Sequence, residues 1–381
     1  MATRSRQLKV SPPSWTPDCT TGEDCTFQQL APYIGRIKTS IARDLIARFT
    51  SRGDLIVDPF AGSGVIPFEA ALLGRRSIAG DTNPYGVLLT RAKFSAPADC
   101  ETALAQFETR WKRAQRRIRK QDLRSVPIWV RKFFHPETLR RALALRDELV
   151  EQSDDFLLAC LLGILHHQRP GFLSYPSSHL VPYLRDKLFP APKFPELYKE
   201  RDVRIRMEAK IRRTYKRPPS SLARGKMCFT DARQLPKPNR IHAVITSPPY
   251  MNALDYVRDN RLRLWFLARE LPTIDDIGRR DRESQFRNLL RDTFSRLLGS
   301  LVPGGSVILV VGDTSRGNSR IDAAQSVRDL FAEPAFRSFV ARGEIWDKIP
   351  DIRRSRRDLS GTKRETILCY SVAKSVRHRP S

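Results

Sequence analysis

Near the middle of the chain, Thr246-Ser247-Pro248-Pro249-Tyr250 follows the β-branched, mostly apolar run Ile241-His242-Ala243-Val244-Ile245. That run has the composition of a buried parallel strand. Two prolines then stop it, because each lacks an N–H and fixes φ near −65°. A hydroxyl (Ser247), backbone carbonyls of fixed direction and an aromatic ring (Tyr250) are thereby held on a stiff loop. Such a loop can accept hydrogen bonds from a planar ligand while the ring stacks on its face. The carboxyl edge of an open α/β sheet is also where ligands bind. Taken alone, the stretch reads first as a Pro-rich turn closing a core strand. A second stretch complements it: Asp54-Leu55-Ile56-Val57-Asp58-Pro59-Phe60-Ala61-Gly62-Ser63-Gly64 reads as a strand and a Gly-rich turn, with an apolar helix from Val65 to Leu73 after it. Glycines let backbone pass close to a ligand, and a helix start offers free N–H groups. The third glycine of the dinucleotide fingerprint is replaced by Pro67.

Together the two stretches resemble the amino-methyltransferases that use S-adenosylmethionine, specifically the DNA type that modifies cytosine N4 or adenine N6. Asp58-Pro59-Phe60-Ala61-Gly62-Ser63-Gly64 looks like their cofactor motif, and Ser247-Pro248-Pro249-Tyr250 like their catalytic motif. The resemblance implies an α/β, Rossmann-like methyltransferase fold and S-adenosylmethionine as cofactor. Asp58, Pro59, Phe60, Ala61, Gly62 and Gly64 would line the cofactor's place. Asp81, 17 residues beyond Gly64 at the tip of the strand Arg76 to Asp81, would take the ribose hydroxyls. Asp231, after the short strand from Lys226, would take the adenine amino group. The competing readings are a helix-capping Asp81 and a turn-forming Asp231. The family also carries an aromatic segment and a helix ahead of the Gly-rich strand. Pro32-Tyr33-Ile34-Gly35-Arg36 and a helix with Ile37, Ile41, Leu45 and Phe49 stand there, where an ordinary packing helix reads equally well.

The implied chemistry needs no metal. An exocyclic amine is a poor nucleophile because its lone pair is delocalised into the base. Carbonyls of the Ser247-Pro248 turn and the Ser247 hydroxyl can accept from its N–H groups, and Tyr250 can stack on a base turned out of a duplex. Positioning and in-line attack do most of the work. Asp at the first motif position is commoner among adenine enzymes and Ser is characteristic of cytosine-N4 enzymes, so Ser247 favours cytosine. An adenine-N6 enzyme, an RNA methyltransferase and an inactive nucleic-acid-binding protein are the alternatives. A nicotinamide dehydrogenase would have no use for Ser-Pro-Pro-Tyr.

The formal charge of +27 suits a polyanionic partner, DNA or alternatively RNA. The excess is clustered. Residues 101–225 hold 27 Lys/Arg against 14 Asp/Glu, and residues 351–381 nine against three. Six scattered cysteines make no Cys-x-x-Cys pair, and His166-His167 lacks carboxylates or cysteines at ligand spacing. No segment is long and apolar enough to span a membrane, and the first ten residues lack the apolar core of a signal peptide, so a reduced cytoplasm is expected.

The elements that must position these residues divide the 381-residue chain into an irregular lead-in (1–30), a cofactor-binding half (31–95), a mainly helical basic insertion (96–225), a catalytic half (226–373) and a basic tail (374–381). In the first half, Asn83-Pro84-Tyr85 opens a helix to Phe94. The insertion is read as the place of target recognition, with charged helices from Phe107 to Lys120 and Glu196 to Tyr215 around a fully apolar one, Phe156 to Leu165. In the last part a helix through Trp265 and an amphipathic one from Ser284 to Leu301 precede the strand Ser306 to Val311, and Glu344–Trp346 and Thr366–Tyr370 form a closing hairpin.

Overall fold

The computed structural model describes residues 24–167, 172–175, 189–249, 260–270, 282–312, 314–316, 319–348 and 364–373. Helix α1 (Thr39–Phe49) leads into β1 (Leu55–Asp58), whose four residues are all buried. The Gly-rich turn joins β1 to α2 (Val65–Leu72). Pro67 sits in the first turn of α2, where a missing N–H costs no intrahelical bond. Then come β2 (Arg76–Asp81) and α3 (Pro84–Phe94). The start of α3 is fixed by Asn83, whose side chain accepts from the Tyr85 N–H, and by Pro84 at its first position.

The insertion supplies α4 (Cys100–Gln115), the single turn α5 (Ile128–Arg131), α6 (Pro136–Glu151), α7 (Asp155–Ile164) and α8 (Val203–Thr214). Asp99, Asp154 and Asp202 cap three of them. The chain then returns to the sheet with β3 (Gly225–Phe229) and β4 (Ile241–Thr246), followed by α9 (Arg261–Ala268), α10 (Arg282–Leu298) and β5 (Leu301–Gly312). A small ribbon of β6 (Thr314–Arg316) and β7 (Ser319–Ile321), helix α11 (Ala323–Phe331), β8 (Phe339–Lys348) and β9 (Arg364–Val372) complete the described chain.

The main sheet runs β3-β2-β1-β4-β5-β9-β8. Its first five strands are parallel and β9 is antiparallel to both neighbours. The chain builds outward from β1 to β3, then crosses back to lay β4 on the other side of β1. The strand order therefore reverses between β1 and β4, which opens a crevice at their carboxyl ends. This is the Rossmann-like α/β methyltransferase fold expected from the sequence. One face packs Val57, Val244 and Val307 against α10 and α11, and the other packs Ile56, Ala243 and Ile308 against α1 and α2. A third apolar cluster joins α3 and α9 to the insertion helices, with every residue of α7 after Asp155 buried.

Boundaries moved in several places. The charged helix expected over 107–120 begins earlier, at its Asp99 cap, and ends at Gln115. The one expected over 196–215 is a short 3-10 turn followed by α8, separated where Asp202 offers a better cap. The helix expected to Leu301 stops at Leu298, and Val302-Pro303-Gly304-Gly305 belongs to β5, in whose first half only Leu301 and then Ser306 onward align with β4.

Candidate active site

The two motifs meet at the switch point. Val57 and Val244 are register partners on β1 and β4, so the residues just beyond each strand leave the sheet side by side. Thr246 ends β4 by donating its hydroxyl to Asp58 Oδ1 at 2.6 Å. Asp58 also accepts the Phe60 N–H at 3.3 Å, which folds the start of the turn back over the strand. With only 2% of its surface exposed, its carboxyl is pushed up by burial to about 7. The Thr246 and Phe60 hydrogen bonds work against that rise.

The turn is held at three of its peptides. Ala61 N–H donates to Gly80 O at 3.0 Å, Gly62 N–H to Asp81 Oδ2 at 2.7 Å, and Gly64 N–H to Ala61 O at 2.8 Å. Gly62 and Gly64 have φ of +52° and +75°, the left-handed region that glycine enters without strain. Their open sides face protein. A Cβ on Gly62 would lie 3.3 Å from the Tyr33 ring, and one on Gly64 only 2.4 Å from Thr90 Oγ1. Helix α3 thus seats against the turn through Thr90, whose hydroxyl also donates to Gly62 O at 3.3 Å. The Pro32-Tyr33 segment lies over the turn as well: Tyr85 donates to Pro32 O at 2.9 Å, and the Tyr33 and Tyr85 rings are 5.9 Å apart.

Asp81 stands at the tip of β2, partly exposed, with Oδ1 accepting Asn83 N–H and Oδ2 accepting Gly62 N–H, both at 2.7 Å. Desolvation among these groups raises its carboxyl. Each oxygen keeps a second lone pair for a ligand. Asp231 is differently committed: Arg233 holds both its oxygens at 2.9 and 2.8 Å, and the Arg233 N–H adds a third bond at 2.8 Å. These bonds keep its carboxyl below the usual range and fix it on its own turn, with Oδ2 accepting one of the three. On the neighbouring edge strand, Phe229 is the register partner of Asp81 and is 59% exposed.

On the Ser-Pro-Pro loop, Ser247 donates to Val310 O of β5 at 3.1 Å, which pins the loop while leaving the hydroxyl oxygen able to accept. Pro248 is buried beneath it and Pro249 is partly exposed; Tyr250 lies outside the described residues. Among the described residues, no three His, Cys, Asp or Glu side chains gather as metal ligands.

Behind the turn lies a polar cluster that sequence reasoning missed. Lys93 of α3 is buried and donates to Ser63 O at 2.7 Å and to Gln28 Oε1 at 2.8 Å. Gln28 donates to Glu69 Oε1 at 2.9 Å, and Arg43 closes the cluster onto Glu69 and Asp24 at 3.1 and 2.8 Å. Desolvation lowers the Lys93 ammonium to about 7. A lysine in a helix normally reads as solvated, so only the turn's need for a donor behind Ser63 could have singled it out.

Residues 31–91 match the family model of a DNA methylase. No curated protein matches the chain. Among solved structures the chain is similar to TrmN from Thermus thermophilus, at 12% identity and a TM-score of 0.36, over 91% of this chain and 52% of that one. It is similar as well to the rRNA methyltransferase aviRa from Streptomyces viridochromogenes, at 14% identity and 0.32, over 95% and 94%. The glycopeptide N-methyltransferase MtfA, complexed with S-adenosylmethionine, aligns at 11% identity and 0.34, over 90% and 96%. At this similarity none of the three assigns an activity.

Proposed function

We propose that this chain is an S-adenosylmethionine-dependent methyltransferase acting on the exocyclic amine of a base in DNA, cytosine N4 in the first place. The observation that carries the reading is the 2.6 Å bond between Thr246 and Asp58, because it joins the Gly-rich turn to the Ser-Pro-Pro loop at the sheet's switch point. The family match over 31–91 covers the first of these two elements and supports the same reading.

The residues fit such a cofactor. Asp81 offers free lone pairs to the two hydroxyls of a ribose, and the exposed ring of Phe229 stands beside it for a planar base. Asp58, Phe60 and the Gly62–Gly64 backbone would hold the amino-acid end. When bound, the cofactor supplies a methyl on positively charged sulfur. The remaining steps belong to the chain. Ser247 and the carbonyls beside Pro248 and Pro249 accept the amine's N–H groups and turn its lone pair toward the methyl, while Tyr250 stacks on the displaced base. Ser247, in place of the Asp commoner in adenine enzymes, sets the preference for cytosine. Target recognition falls to residues 96–225, and the protein would work in the cytoplasm.

The test is to treat duplex DNA with the protein and the cofactor, digest to nucleosides and identify the product by mass spectrometry. N4-methylcytosine is expected, with Tyr250→Ala lowering turnover at unchanged cofactor affinity. N6-methyladenine alone would overturn the base assignment and keep the mechanism. Product only in RNA would overturn the DNA assignment, and methylation at carbon 5 would overturn the mechanism.

A further inference from the structure

We infer that duplex DNA is gripped by one strip of the insertion, residues 116–132, and not by its other basic helix. The inference rests on the proposed substrate and narrows where that substrate docks. Segment 116–132 holds seven Lys/Arg and one acidic residue, Asp122. Arg116, Arg119, Lys120 and Arg131 are exposed and have no acidic partner among the described residues. An unpaired guanidinium or ammonium keeps its full attraction for phosphate.

Helix α8 is dense in charge too, but of its five cations only Arg213 is both exposed and without an acidic partner among the described residues. Arg204 pairs with Glu108 and Glu208, both at 3.0 Å, and Arg212 faces Glu101 at 3.8 Å. Lys210 is 4% exposed and donates to Gln29 O, so it cannot reach a phosphate. A phosphate approaching α8 would have to displace acids that already sit there.

The strip also lies against the helix that follows the catalytic loop. The Arg261 guanidinium, exposed at the start of α9, stands 4.2 Å from the Trp129 ring, and Trp129 meets Trp265 edge to face at 6.5 Å. From the other face of α9, Arg263 reaches the Tyr85 ring at 5.9 Å, beside the Gly-rich turn. Gln121 accepts from Arg269 at 3.0 Å and ties the strip to the far end of the same helix. Beside these cations Ile128 is 64% exposed, a single apolar side chain that suits a groove wall and is too little for a lipid surface.

The experiment compares salt dependence of duplex binding for three full-length proteins: wild type, Arg116→Gln/Arg119→Gln/Lys120→Gln, and Arg204→Gln/Arg212→Gln. Each phosphate contact contributes about 0.9 to the slope of log K against log salt on B-DNA. The strip variant should lose about 2 to 3 of that slope and up to about a hundredfold in affinity at low salt. The α8 variant should bind like wild type, and both should keep wild-type cofactor affinity, since none of the five residues touches the site. A wild type that binds neither DNA nor RNA duplex removes the proposed substrate and the strip together. DNA binding whose slope is unmoved in the strip variant, or moved only in the α8 variant, sinks the strip alone, and binding to RNA duplex only overturns the inference.

Discussion

Asp58 was legible as a motif residue, but its chemical state was not. The sequence places an acid before a Gly-rich turn; only the closed sheet shows that the acid is buried against Thr246. In the folded chain it keeps its proton to about 7, whereas an unfolded Asp releases it near 4. Between those values the native state binds more protons than the unfolded one, so stability falls as pH rises through that window. Asp58→Asn retains an oxygen to accept from Thr246 and removes the titration. Urea unfolding at pH 4.5, 5.5 and 7.5 should show the wild type losing on the order of a few kcal/mol more than the variant across the range. Asp81, raised in the same direction, leaves some slope in both. Equal slopes in the two proteins would mean that Asp58 ionises normally. Asp231, which the resemblance places beside the cofactor's base, is shifted the other way, because Arg233 donates to both its oxygens and keeps its carboxyl below the usual range.

At the scale of elements, the strands and the β1–α2 unit were legible because buried parallel strands are continuous apolar runs and the cap Asn83-Pro84 marks a helix start. Helix α6 escaped notice because its apolar side is interleaved with Arg140, Arg141 and Arg146, the last a buried arginine that donates to Phe266 O and Leu267 O at the end of α9. The sequence reading gives the glycines of the turn to ligand space, and the packing of α3 assigns part of that need elsewhere. Gly64→Ala would place a methyl 2.4 to 2.9 Å from three Thr90 atoms and a side chain at φ +75°. Overpacking costs about 1–3 kcal/mol and a left-handed non-glycine residue about 1–2. The single variant should therefore lose about 2–5 kcal/mol in chemical denaturation. Adding Thr90→Ala removes the two nearest atoms and keeps Cβ at 2.9 Å, so it should return most of the steric part, and the coupling measured in the double-mutant cycle reports the seat of α3 on the turn. Strictly additive losses would show that Thr90 is not what excludes a side chain there.

For the whole molecule, the order of motifs in the sequence suggests an insertion that could be lifted out, and the chain ends at its base are close enough to rejoin. A Cβ on Gly225, where the insertion ends, would lie 2.3 Å from the Phe94 ring, where it begins. Packing argues against separability. Tyr85, Leu88 and Leu89 of α3 and Leu264, Trp265 and Phe266 of α9 share one apolar cluster with Phe107, Phe134, Leu139 and Phe156 of the insertion. Arg263 donates to Leu162 O and His166 O at the end of α7, and Thr26 N–H to Arg217 O, so hydrogen bonds cross the same boundary. Stripping cover from those six large side chains at roughly 1.5–3 kcal/mol each is a loss comparable with the ~5–15 kcal/mol that hold a domain folded. A chain with residues 31–95 spliced by a short Gly-Ser linker to 226–373 should therefore fail to unfold cooperatively, bind a hydrophobic dye and lose its near-ultraviolet dichroism. Cooperative unfolding of that spliced chain, with cofactor affinity intact, would show that α3 and α9 close over their own exposed faces and that the insertion is a separate domain.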